Sequence, residues 1–213
     1  MSFLSHLDDL STPRLTVYNE VDGSRLDFSG ATLDNWASKV ANMLRDEYDL
    51  EPGDSVGMLL PNGWAYAVIA LGALKAGMHI VDQPQALTFI SAQQVDTFSS
   101  DDAEMVAVIS DHLLGLGVTE TGGSLPQWAE DFFPLVRTYP DHYPHACQPL
   151  PDLVGTTNDC PGRRVLSCGW SDAATFRDVI ILPIAAGGSA VTVLSDGEVS
   201  EQRLRHIREA EKC

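Results

Sequence analysis

The chain has 213 residues, 44% of them apolar and 20% charged, and its 30 acidic against 13 basic side chains leave a formal charge of −17. That apolar share excludes wholesale disorder, and the length suffices for a core that needs neither disulfides nor metal. The charge excludes a nucleic-acid or anionic-membrane binder: residues 82–159 hold twelve acids and the single base Arg137, the reverse of the dense basic face that phosphates require.

Leu15–Tyr18 and Arg25–Phe28 alternate about a turn at Asp22-Gly23, which predicts a β-hairpin. Thr32 is placed to cap a helix from Leu33 to Glu47, whose Leu33, Trp36, Ala37, Val40, Ala41 and Leu44 fall at helical spacing. Val56–Leu60 reads as a strand. Trp64–Ala76 reads as a helix apolar nearly all round, hence buried on a sheet, with Gly77 closing it. Met78–Asp82 is then a strand, which makes a βαβ unit with parallel strands. Thr88–Ser91, a short helix over Ala92–Phe98 and Met105–Ser110 read as a further strand–helix–strand step. An amphipathic helix is expected over Pro126–Val136. Prolines 140, 144, 149 and 151 mark a boundary between lobes. Arg164–Cys168 (strand), Ala173–Ala186 (helix), Ala190–Leu194 (strand) and Ser200–Glu211 (helix) complete the chain. The charge alternation of the last helix reads as a solvated face.

The pattern is α/β, mostly parallel sheet flanked by helices, with lobes at 1–145 and 146–213 or one continuous domain. The N-terminus has no basic segment followed by a long apolar one, the longest apolar runs fall short of a bilayer span, and the four cysteines form no CxxC pair. A cytoplasmic protein with reduced thiols is the expectation.

The block Leu26–Asp82 resembles the opening of the adenylate-forming superfamily of acyl-CoA synthetases, peptide-synthetase adenylation domains and luciferases. The residues that carry the likeness are Ala37-Ser-Lys-Val-Ala-Asn-Met-Leu44, Leu50-Glu-Pro-Gly-Asp-Ser-Val56, Leu59-Leu-Pro-Asn62 and Ala70-Leu-Gly-Ala-Leu-Lys-Ala-Gly77. Leu182-Pro-Ile-Ala-Ala-Gly-Gly188 with Ala190–Leu194 is similar to a later stretch of that family. The resemblance implies the fold of the front part of the family's large domain. In the family, a Ser/Thr/Gly-rich loop ending in lysine binds the phosphates of ATP. The matching place here reads Val154-Gly-Thr-Thr-Asn-Asp-Cys-Pro-Gly162: Gly155, Thr156 and Thr157 echo the loop, Asp159 follows, and the only cations near are Arg163 and Arg164. The chain's lysines are 39, 75 and 212. Arginine does not replace a compact loop lysine, and an aspartate repels a phosphate that needs neutralising. The family's later nucleotide motifs and its domain with the catalytic lysine would lie beyond Cys213.

Other constellations are weaker. Asp141, His142, His145 and Cys147 are metal-ligand types, but their spacing fits no closed zinc site, and no metal is expected. Gly169-Trp-Ser171-Asp-Ala173 sits between strand and helix as a nucleophile elbow would, with Asp196 and His206 in hydrolase order. The closing glycine is absent, and Ser171 reads better as a helix cap. Gly115-Leu-Gly117 lacks the third dinucleotide glycine, Glu120 standing there. His79 reads as a core or rim residue.

The sequence thus predicts a degenerate adenylate-forming scaffold without a catalytic residue of its own. It would act as a small-molecule-binding or protein-interaction module with no cofactor. Gly155, Thr156, Thr157, Arg163 and Arg164 are its remnant of a phosphate site. The alternative is one subunit of a split acyl-activating ligase; ATP or AMP and Mg²⁺ enter only there. The acidic middle stretch is a solvated face, or a docking face for a basic protein partner. A shortened sheet with uncovered edges favours a homodimer.

Overall fold

The computed structural model describes residues 3–155 and 162–213, and the chain divides into two compact units. One comprises Met1–Asp34, Asn62–Trp64 and Ala146–Cys213; the other, Asn35–Pro61 and Ala65–His145. The expected lobe 1–145 therefore differs from the observed division. Strand β1 (Pro13–Asn19) pairs in parallel with β9 (Ser189–Leu194), so the N-terminal hairpin folds with the C-terminal segment.

The first unit is built on a four-stranded sheet in the order β2-β1-β9-β8, with β2 at Ser24–Ser29 and β8 at Arg164–Ser167. β1 and β2 are antiparallel; the other pairs are parallel. One face packs Val191 and Val193 on Ile207 of α7 (Glu201–Glu211), with Tyr18, Leu166 and Leu204 around them. Against β8 and β9 also lies a helix expected as one piece over Ala173–Ala186. It runs as a short α5 (Ala173–Phe176), a π-helical turn (Arg177–Ile181) and α6 (Leu182–Ala185). Pro183 lacks an N–H and would clash with the carbonyl four residues back; the wider π turn lies just before it.

The second unit holds a fully parallel sheet in the order β4-β3-β5-β6-β7: β3 Ser55–Leu59, β4 His79–Val81, β5 Leu87–Ser91, β6 Met105–Ile109 and β7 Ala129–Asp131. α2 (Trp64–Lys75) is buried from Tyr66 to Ala73, as its unbroken apolar character requires. It closes on Gly77 (φ 80°), where the amides of Gly77 and Met78 reach Leu74 O and Ala73 O. α1 (Gly30–Asp46) meets α2 at Gly72, where a Cβ would stand 2.4 Å from that of Val40. Phe89 and Phe132 meet edge to face at 5.9 Å, and Phe132 and Phe133 at 5.2 Å.

β4 and β5 lie on opposite sides of β3 yet are joined by residues 82–86 alone, which run across the face of β3 at Gly57. A Cβ on Gly57 would meet Gln83 O at 2.7 Å and Thr88 Oγ1 at 2.9 Å. Thr88 Oγ1 fastens the crossing, accepting from Gln85 N and donating to Gln85 O, each at 2.9 Å.

Three local expectations are corrected. α1 starts at Gly30, directly from β2, and the side chain that caps it is Ser29, whose hydroxyl accepts from Thr32 N at 3.1 Å; Thr32 lies inside the helix. The amphipathic helix expected over Pro126–Val136 is instead strand β7 followed by a short α3 (Phe132–Val136), because Ala129–Asp131 extends the sheet beside β6. Over Ala92–Phe98, a 3₁₀ turn at Ala92–Gln94 replaces the short helix.

Candidate functional site

The candidate phosphate loop follows α4 (Leu150–Val154). Gly155 caps that helix in the left-handed region (φ 63°), its amide donating to Pro151 O at 3.1 Å. Arg177 closes the same end, Nη2 donating to Val154 O at 2.6 Å. Thr156 and Thr157 lie outside the described residues. The chain re-enters at Gly162, whose amide donates to Ala186 O at 3.0 Å. Arg163 O then accepts from Ser189 N at 3.1 Å, where Gly188 passes so close that a Cβ would stand 2.0 Å from that oxygen.

Arg164 begins β8 and points its guanidinium at α7. Nη1 donates to Ser189 Oγ (3.0 Å); Nη2 donates to Thr16 Oγ1 (2.8 Å) and pairs with Glu211 at 2.5 Å. Glu211, 9% exposed, also accepts from Tyr18 Oη (2.6 Å) and from Nε and Nη2 of Arg25 (3.0 and 2.8 Å). Burial pushes its carboxyl up, but the bonds from Tyr18, Arg25 and Arg164 outweigh burial and hold it below the usual carboxylate range. Arg25 and Arg203 flank the Tyr18 ring at 5.5 and 5.6 Å, and Arg203 forks onto Glu20 at 2.9–3.1 Å. α7 is therefore docked on one side, not the solvated helix its charge alternation predicts. Of the remnant residues, Gly155 serves as a helix cap and Arg164 joins strand to helix; those two are not brought together on an anion.

The lysines are engaged likewise. Lys39 pairs with Asp141 at 2.8 Å and donates to Tyr139 O at 2.6 Å; Lys75, buried, donates to Ser38 Oγ at 2.8 Å; Lys212 takes the left-handed cap of α7. Asn42 donates to the carbonyls of Pro140 and His142, so the 139–142 segment is fastened to α1. Among the described residues, no three His, Cys, Asp or Glu side chains are gathered to hold a metal.

Ser171 bonds Asp172 (3.1 Å) and Thr175 (3.2 Å). The cap of α5 is Asp172 rather than Ser171, accepting from Thr175 N at 2.7 Å. Backbone and hydroxyl bonds from Thr175 lower the Asp172 carboxyl, an ordinary result for a cap. Gly117 belongs to a loop wound on acids: its amide donates to Glu120, and those of Val118 and Thr119 to Asp131. His79 is an exposed rim residue. Among the described residues, no helix is long and apolar enough to cross a membrane.

Residues 11–132 match the family model described as AMP-binding enzyme. A TIGR03089 family protein of Mycobacterium tuberculosis (strain ATCC 25618 / H37Rv) is 31% identical over 214 residues, which cover 90% of this chain and 86% of that protein. The fold is similar to that of a Brucella canis acyl-CoA synthetase (TM-score 0.70, 15% identity, 97% of this chain). It is also similar to the anthranilate CoA ligase AuaEII, solved with anthranoyl-AMP (TM-score 0.65, 13% identity, 92% of this chain). The chain spans 44% and 45% of those two structures, under half of each.

Proposed function

The chain belongs to the AMP-binding enzyme family, and from that premise we propose that it is a non-catalytic member, a scaffold that binds a small molecule or a protein without adenylating a substrate by itself. The observation that carries this reading is Arg164. It is one of the two cations that follow the remnant loop, and its guanidinium is held by Glu211, Thr16 and Ser189. Acyl adenylation must neutralise charge on a transferring phosphate, through metal and cationic side chains. Arg164 could serve there only by abandoning a buried carboxylate. Lys39 and Lys75 are likewise engaged by Asp141 and Ser38.

ATP–pyrophosphate exchange by the purified protein tests this directly: none is expected, and measurable exchange overturns the reading. A thermal-shift series with ATP, AMP and acyl-CoA, with and without Mg²⁺, extends the test. A ligand at 100 times its Kd adds about 2.7 kcal/mol. No Mg²⁺-dependent ATP shift is expected. A clear one would favour the split-ligase reading, with a partner completing the nucleotide site.

A further inference from the structure

We infer that β2 is a homodimerisation edge, on which a second copy of the chain pairs antiparallel about a two-fold axis at Leu26. β2 ends the first unit's sheet, with only β1 beside it. The orientation of its main-chain groups follows from the register. Glu20 N donates to Leu194 O, so Tyr18 and Thr16, two and four residues back, also turn their main-chain groups to β9. The intervening Val17 and Asn19 turn theirs to β2, where their partners are Leu26 and Ser24. By the same alternation, Arg25 and Asp27 direct N–H and C=O outward, to the free edge. Both side chains are solvent-accessible, at 41% and 33%.

Charge on an edge strand ordinarily discourages pairing. Here the two charges are opposite and two residues apart, which makes the edge complementary to itself. With the axis at Leu26, Arg25 faces Asp27 of the second copy, and that pair exchanges both N–H···O bonds; the axis repeats the exchange. An axis at Arg25 or at Asp27 would set like charges opposite each other, which opposes pairing. The register that satisfies the outward main chain is thus also the one the charges select. On the opposite face Leu26, half-buried, meets its own copy. The result is an isologous contact that joins two four-stranded sheets into one.

Light scattering of the wild-type protein should give twice the 23.1 kDa chain mass. Arg25→Asp and Asp27→Arg should each give the mass of one chain, and an equimolar mixture of the two should return the mass of two, since the mixed pair restores both contacts. Circular dichroism melts establish that each variant is folded. If either is not, Leu26→Cys gives an independent readout: on mild oxidation, peptide mass spectrometry should find position 26 joined to position 26. A wild-type mass of one chain overturns the proposal. So do single variants that keep the mass of two chains, or a Leu26→Cys protein with no 26–26 disulfide.

Discussion

The two sheets are held by different physics. In the second unit the parallel strands are covered by apolar groups and close main-chain approach: Phe89 on Phe132, Val40 against Gly72, residues 82–86 over Gly57. In the first unit α7 buries Ile207, and its end is fixed by a carboxylate with three donors drawn from β1, β2 and β8. Apolar packing is indifferent to pH and salt. A charge-assisted network is strong only while every member keeps its charge. One sheet should therefore answer to volume and the other to protonation.

The largest expected effect lies in the apolar sheet. Phe89→Ala empties space beside Phe132 and should cost about 3–5 kcal/mol, read as a lowered urea midpoint that hardly moves with pH. Glu211→Gln keeps the shape but removes the charge that Arg164, Arg25 and Tyr18 address. It should cost about 1–3 kcal/mol, with hydrogen exchange accelerated in α7 and unchanged in β5. An effect of equal size in β5 would break the contrast. The smallest effect is a pH dependence. The Glu211 carboxyl is depressed in the folded chain, so its stabilisation is complete above the unfolded value of about 4.3 and is lost as pH falls through the lower folded value. Exchange in α7 should rise in that acid range in the wild type. Glu211→Gln should lack that added rise, which separates Glu211 from the other depressed carboxyls, Asp9, Asp22, Glu120 and Asp172.

Sequence signals were good where one element decides for itself. Leu33 to Leu44 repeat at helical spacing, and Gly77 closes a helix that is apolar throughout; both were legible. They failed where a distant strand decides. Ala129–Asp131 has helical spacing, yet β6 offers open hydrogen bonds, and the strand won. Thr32 is as good a cap as Ser29 on paper; the hairpin, which brings the chain straight into α1, chose between them. The remnant loop was legible as a departure from a lysine-bearing pattern. That Arg164 would turn to Glu211, 47 residues on, and Tyr18 to the same carboxylate from 193 residues away, has no local signal. Long-range charge pairs are written into topology, and topology was read only as a class.

The crossing at Gly57 has a mechanical consequence. Five extended residues reach at most about 17 Å, and two strand spacings take up about 10 Å of that. Residues 82–86 therefore act as a short tether over β3, tying its neighbours on either side. Under load, neither β4 nor β5 can peel from β3 by more than the slack in that tether. The three strands should resist and yield together, as a single element in a force trace.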